Sequence, residues 1–600
     1  MTAAAWRRRF RAPRVDLPVW SRHAAHRAVY ATNETGAWQL ATWDLHTDVR
    51  TIVTDKRTGV RAGGAVPDGS AVAWFDDHDG AEIGQWVLTP FAGGEPRPLL
   101  PGADEGWAAG LAMHPTRTVA GITDREAHRA WVQDEHGLRE LARFSQPFGV
   151  AGLSADGALV AVEHTEHGDA LHPSTTVLDA SDGSVVGDLP SGDGVTRSPV
   201  AWSPVTGDQR LVVSDDSAGW TLPLVWDLAT GAKHRVDPEL PGEVSVADWW
   251  PDGSALLLVI DHEGRSTMHH YECATGATSP YQVGDGTIAA ASVRPDGTLW
   301  YAFGTAARPT EVRSRDAGGD RVLLRATGAD ALFDAPFPEG APYQALRYPN
   351  GEGDSVHAFL AVPDGTPPYP LVVEIHGGPT AHVSDTLDPY VQAWVDHGFA
   401  VLLPNYRGST GFGKAWEDAL AGDPGRPELV DVRAGRDHLV ADGIADPARS
   451  VVVGASWGGY LTLQALGTQP EAWAAGVATV PVADYLSAYA DEAPDLQAFD
   501  RSLFGGDPAE LPDLYRERSP LTHVDRVVAP VLVITGANDT RCPKRQVDNY
   551  VTALAERGVP HVYDVYDAGH ASMATDEQIR QQAVALDFAA AHLGTPPAAP

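Results

Sequence analysis

The sequence predicts two unlike parts: an N-terminal β-propeller of about seven blades, then an α/β domain with a mostly parallel sheet. Three observations carry this. Turn anchors built on Pro, Asp and Gly recur at spacings of about 40 to 49 residues between residues 20 and 330. Only short apolar runs lie between them, as in Ala255-Leu256-Leu257-Leu258-Val259-Ile260. After about residue 340 the rhythm changes, and apolar strands alternate with helical stretches.

The clearest anchors are Val66-Pro67-Asp68-Gly69-Ser70, Trp250-Pro251-Asp252-Gly253-Ser254 and Arg294-Pro295-Asp296-Gly297-Thr298. Pro presets φ, and Gly takes the left-handed turn position. Weaker copies stand at His114-Pro115, Ser154-Ala155-Asp156-Gly157 and Ser203-Pro204, with a degenerate one near His23-Ala24. A period of this length made only of strands is a propeller signature. A sandwich would show a shorter, less regular period. In the second part, strands are expected at 356–362, 371–375, 400–404, 451–454, 476–480 and 531–535, with helices at 459–466 and 544–557. The resulting division is an N-terminal extension 1–19, a propeller 20–330, a catalytic α/β domain 340–594 and a flexible tail 595–600, with a linker across 316–340.

Length and composition narrow the function. The chain has 600 residues, 43% hydrophobic and 21% charged, with a net charge of −36. It is long enough for more than one domain and a large core. So acidic a chain argues against nucleic acid, whose phosphates need Lys and Arg, and against an anionic membrane. No apolar run approaches the length of a membrane span. The arginines at the N-terminus are not followed by the apolar core of a secretory signal, so a cytoplasmic location is expected. The two cysteines, Cys273 and Cys542, exclude a disulfide framework and a Cys-built zinc site.

The chemistry concentrates in three places. Gly454-Ala455-Ser456-Trp457-Gly458 fits G-x-S-x-G, preceded by a strand pattern and followed by a helix pattern. That is the context in which a serine sits on a strained elbow. Asp539 follows the strand expected at 531–535, and His570 lies in Asp567-Ala568-Gly569-His570. The order Ser, acid, His assigns Ser456 as nucleophile, His570 as general base and Asp539 as its orienter. After the strand at 371–375 comes His376-Gly377-Gly378-Pro379, whose glycines allow a main-chain N–H to face an oxyanion. The second such donor is the N–H of Trp457. The His376 side chain itself is expected to be packed or hydrogen-bonded.

Three stretches imitate other chemistry. Gly408–Ala415 nearly matches a P-loop, but Ala415 replaces the Mg²⁺-ligating hydroxyl. Glu163-His164-Thr165-Glu166-His167 is one residue short of a zinc motif and reads as a solvated turn. Phe75-Asp76-Asp77-His78-Asp79-Gly80 lacks the first ligand of a calcium loop and also reads as a turn.

Together, HGGPT at 376–380, NYRGSTGFG at 405–413, GASWGGY at 454–460, FGG at 504–506, SPLTHVDRVVAPVLVITGANDTRCP at 519–543 and DAGH at 567–570 resemble the prolyl oligopeptidase family of serine peptidases. The closest branch is the acylaminoacyl peptidase and dipeptidyl aminopeptidase group. The resemblance is dense over about 345–590 and only architectural over the propeller. It implies a seven-bladed β-propeller over an α/β-hydrolase domain, with the active site between them. It implies Ser456, Asp539 and His570 as the triad, and main-chain N–H groups at Gly378 and Trp457 as the oxyanion hole. It also implies that Arg541 binds a substrate carbonyl, a task that suits a rigid guanidinium fork; the alternative for Arg541 is a surface salt bridge. Cys542 stands where a valine is usual. It is expected to pack as a small hydrophobe, leaving a reactive thiol near the site as the alternative.

The reaction these parts imply is acyl transfer to Ser456 followed by hydrolysis, with no metal and no organic cofactor. The expected substrates are short peptides cleaved from the N-terminus. Tyr485, Tyr489, Phe499 and Phe504 are candidates for an apolar S1 pocket and equally for cap-helix core. No carboxylate pair stands out as an ammonium anchor, which leans toward blocked or apolar N-termini. Two other readings stay open: a non-peptide amide or ester hydrolase, such as one cleaving an aminoacyl antibiotic, and a non-catalytic propeller scaffold. The resemblance covers monomers and homo-oligomers alike.

Overall fold

The computed structural model describes residues 4–192, 194–324 and 337–595. Part of the expected linker (325–336) and nearly all of the expected tail (596–600) lie outside the described residues.

From Val19–Ser21 to Gly319–Leu324 the described chain is all strand and turn. Four sets of four consecutive strands form separate antiparallel sheets, beginning at Val19, Arg197, Glu243 and Thr287. The twelve strands between Gly63 and Leu189 join into one sheet. The joins are few: Gly84 pairs with Gly106, Ile83 with Trp107, and Val150 with Gly110. The arrangement is propeller-like. Its anchors work as the sequence suggests. Asp68, Asp252 and Asp296 each accept the N–H two residues on, at 2.9, 3.0 and 3.0 Å. Gly69, Gly253 and Gly297 take φ of 71°, 70° and 83° between them. The sheets bury apolar faces against their neighbours; Val212, Val244, Trp249, Leu256 and Leu258 share one cluster.

The second part is built on an eight-stranded sheet in the order Gln344–Pro349, Ser355–Ala361, Ala400–Asn405, Tyr369–Ile375, Ala445–Ala455, Ala475–Thr479, Val531–Gly536, His561–Tyr566. The first two strands are antiparallel and the other six run parallel. All six expected strands are present. Gln344–Pro349 and His561–Tyr566 were not expected; both are edge strands with mixed exposure, which erases the apolar signal. Helices pack on both faces, and each face has its own apolar core. The N-terminal extension contributes to one of them. Helix Ala5–Arg11 buries Trp6 and Phe10 against Trp394 and Phe399, and Arg9 pairs with Asp396 at 2.6 Å.

The two parts are linked by polar contacts. Lys414, from the P-loop-like stretch, pairs with Asp216 and Asp418 at 3.0 and 2.8 Å, so its charge is already matched. Asp418 also accepts from His172, which in turn pairs with Asp169 at 2.6 Å. Burial alone would lower the His172 pKa, but its hydrogen bonds to Asp169 and Asp418 raise it to about 9. A raised folded-state pKa stabilises fully below the unfolded value and loses that contribution as pH climbs through the folded one. His172→Gln is therefore expected to lower stability near pH 6, by at most about 3 kcal/mol. The gap to the parent chain should close above about pH 9, as read by thermal melts at both pH values.

The two metal-like imitations resolve into ordinary structure. His164, His167 and Glu166 bond Thr176, Ser191 and Ser145 separately. Glu163 and His164 end the strand Leu159–His164, which corrects the expectation of a turn there. Phe75, Asp76 and Asp77 likewise end the strand Ala71–Asp77, leaving only the residues after them to turn.

Candidate active site

Ser456, Asp539, His570 and His376-Gly377-Gly378 all follow the carboxyl ends of parallel strands, where open α/β sheets collect their ligand sites. Ser456 sits at φ 56° and ψ −118°, a conformation that a side chain other than glycine rarely adopts. The surrounding glycines make the turn possible. A Cβ on Gly454 would strike the backbone of Gly458, and one on Gly458 would strike the carbonyl of Ile375. The Ser456 N–H donates to Thr479 at 2.9 Å, and helix Trp457–Thr468 begins at the next residue.

Ser456 Oγ lies 2.9 Å from His570 Nε2, and His570 Nδ1 lies 2.8 Å from Asp539 Oδ2. The Asp539 side chain is fully buried. Its other oxygen accepts the N–H groups of Arg541 and Cys542, each at 2.9 Å. An ionised carboxylate only accepts, so Nδ1 carries the imidazole proton and Nε2 offers its lone pair to the serine hydroxyl. Tyr566 Oη donates to the carbonyls of Gly569 and His570 at 3.0 and 3.1 Å, which holds the histidine loop. The structure thus brings together the three residues expected to work as a unit, in geometry that can activate a hydroxyl.

His376 is packed, as expected. It stacks on Tyr406 at 4.2 Å and bonds Ser409 at 2.9 Å; burial lowers its pKa to about 4, so the ring stays neutral. Gly377 rather than Gly378 faces the serine: a Cβ there would meet the Ala455 carbonyl at 2.9 Å and Ser456 Cβ at 3.4 Å. The N–H groups of Gly378 and Trp457 donate to no protein oxygen among the described residues.

For the four aromatic candidates the packing favours the cap-helix core over a pocket. Tyr485 and Phe504 are core: 1% and 2% exposed, packed with Tyr515 in an aromatic cluster. Tyr489 and Phe499 pack partly buried against the same core. None of the four lines the cavity at Ser456. Helices Tyr485–Asp491 and Pro494–Phe504 fold their aromatic faces inward, a direction that spacing alone leaves undecided. Arg541 forms a two-pronged ion pair with Glu82 of the propeller, at 2.8 and 2.7 Å.

The propeller's part was not legible beforehand. Residues 79–82, of which only Asp79 and Gly80 fall in the calcium-like stretch, dock on both triad loops. Asn538 and Thr540 donate to the carbonyls of Asp79 and Ala81 at 3.4 and 3.1 Å. The Gly80 and Gly569 backbones touch so closely that neither tolerates a Cβ. Two cavities border this contact. One of about 500 Å³ is lined by Ser456, His570, Gly377, Glu374, Tyr390 and Gln582. The other, about 510 Å³, lies between propeller and sheet beside Glu82, Trp86, Trp107 and Arg541.

Residues 386–596 match the prolyl oligopeptidase family of peptidases. The chain carries a prolyl oligopeptidase family domain. It is similar to dipeptidyl aminopeptidase BIII of Pseudoxanthomonas mexicana, 25% identical over 92% of this chain and 83% of that protein. It is also similar to dipeptidyl peptidase family member 6 of Caenorhabditis elegans, 36% identical over 35% of this chain but only 30% of that protein's length. In fold it resembles a puromycin-hydrolyzing peptidase of Mycobacterium tuberculosis. The TM-score is 0.84 at 23% identity, covering 100% of this chain and 97% of the other. The family domain spans the serine elbow, the acid and the histidine together.

Proposed function

We propose that this chain is a serine peptidase that cleaves short peptides near their N-terminus through an acyl-enzyme on Ser456. The observation that carries the reading is the hydrogen-bonded chain from Ser456 through His570 to buried Asp539. His570 takes the serine proton as Oγ attacks the carbonyl, then delivers it to the leaving amine; a water repeats the cycle in reverse to free the acid. The N–H groups of Gly378 and Trp457 are assigned to the oxyanion, supported by their lack of a protein acceptor. We also read the twelve-stranded sheet as three blades joined at their edges, because its strands fall into three consecutive sets of four. With the four separate sheets, that makes seven. With its loop at 79–82 docked on both triad loops, the propeller is read as a screen that keeps folded chains out and leaves short peptides as substrates.

Arg541 is assigned to a substrate carbonyl, with Glu82 holding its fork in place. A hydrogen bond from a charged donor contributes about 1.5–3 kcal/mol. Arg541→Ala should therefore raise KM by about 10-fold or more while kcat changes little, measured on a dipeptide anilide.

The test of the reading is a set of matched chromogenic substrates, each with one apolar residue and either a free or an acetylated N-terminus. Turnover of the acetylated member alone identifies an acylaminoacyl peptidase. Turnover of the free amine alone identifies an aminopeptidase. A second reading, hydrolysis of a non-peptide amide, is favoured by the puromycin-hydrolyzing name of the fold relative. Turnover of puromycin in preference to every peptide would establish it.

A further inference from the structure

We propose that Asp539, Cys542 and His570 together form a binding site for a soft divalent metal ion, and that filling it switches Ser456 off. This inference rests on the triad reading above. The donor atoms of these three side chains all lie within 4.8 Å of one another. A tetrahedral zinc site needs thiolate, imidazole and carboxylate donors about 2.0–2.3 Å from the ion, so small shifts of three side chains would close on it. A water can supply the fourth ligand.

The charges balance. A dication meets one carboxylate, one thiolate and one neutral imidazole. Of the three ligands, His570 borders the cavity at Ser456. Without metal, burial keeps the Cys542 thiol well above its usual pKa, so it stays protonated and unreactive.

Binding rearranges protons in a definite way. The Cys542 thiol gives one proton to solvent and becomes a thiolate. His570 presents Nδ1 to the ion, so its proton resides on Nε2. Nε2–H then faces Ser456 Oγ and can no longer accept the serine proton. Soft ions suit a thiolate-containing set, whereas Mg²⁺ and Ca²⁺ prefer all-oxygen ligands.

The experiment uses the full chain with Zn²⁺ and Cd²⁺ as probes. Serine acylation by a fluorophosphonate is followed with and without Zn²⁺, and Cd²⁺ binding is read from the thiolate-to-cadmium absorption in the ultraviolet. Expected results are saturable protection of Ser456 from labelling by Zn²⁺, a one-to-one Cd²⁺ absorption band, and no effect of Mg²⁺. Cys542→Val should abolish the band and weaken Zn²⁺ protection by at least about 10–100-fold, relative to its own metal-free labelling rate; Cys542→Ser provides a second variant of closer size. Equal protection in the parent and both variants, or no thiolate band in the parent, would overturn the proposal. If the metal-free parent fails to label at Ser456, the triad reading has failed instead, and the cadmium band still reports on the site.

Discussion

Ser456→Ala and His570→Ala are each expected to lower kcat by about 10⁶, with little change in melting temperature. The magnitude follows from the unit the three residues form. Once either is missing, no base within reach can take a proton from a nucleophile, and what remains is binding plus main-chain oxyanion donors. A loss of this size corresponds to about 8 kcal/mol of transition-state stabilisation. The double variant should be no worse than either single one, because both remove the same step. Asp539→Asn should cost less, about 10⁴: the amide can still touch His570 Nδ1 but favours the wrong tautomer. Comparing kcat for the three variants on one anilide substrate checks the order.

The second large effect is expected from a residue with no side chain. Gly569→Ala places a methyl group where the Gly80 carbonyl now lies. Either the histidine loop or the propeller loop must move. A shift of about 1 Å in a catalytic group costs about 100-fold in rate, so kcat/KM should fall by that order while the protein stays folded. Gly149→Ala, where an added methyl meets nothing within 4 Å, is the matched control and should leave kcat/KM as it was. Equal behaviour of the two variants would mean that the docking of residues 79–82 does not hold the histidine loop.

The contrast between these two predictions shows what the sequence could and could not reveal. Ser456, Asp539 and His570 were legible because each stands on a local geometry that demands particular residue types. The elbow needs glycines at 454 and 458, where a Cβ strikes backbone, and the strand before Asp539 is fully buried and apolar from Val531 to Ile534. The propeller was legible for a similar reason: the anchor turns at Asp68, Asp156, Asp252 and Asp296 repeat the same short-range hydrogen bond. What stayed hidden depends on contacts between distant segments. Arg541 meets Glu82 across 459 positions of sequence, and nothing near either residue announces the other. Trp6 and Phe10 look like part of a basic tail until helix Ala5–Arg11 is seen against Trp394. The aromatics from Tyr485 to Phe504 have a spacing equally compatible with core and pocket; only the packing of Tyr515 on Phe504 at 4.1 Å decides for core. Strand His561–Tyr566 carries a half-exposed pattern that no apolar run marks.

These observations also separate the roles of the two parts. The sheet supplies the reacting groups, and the propeller loop at 79–82 braces the loops that hold two of them. Lifting the propeller loop away would release Asn538, Thr540 and Arg541 from their partners.

The most direct test of the central claim is the site of covalent modification. The full chain is treated with a serine-directed fluorophosphonate, digested, and the adduct located by mass spectrometry. A single adduct on Ser456, absent when the reaction is repeated with His570→Ala, is the predicted result. An adduct on another residue, or none at Ser456 in the folded protein, would contradict the assignment of this serine as the nucleophile.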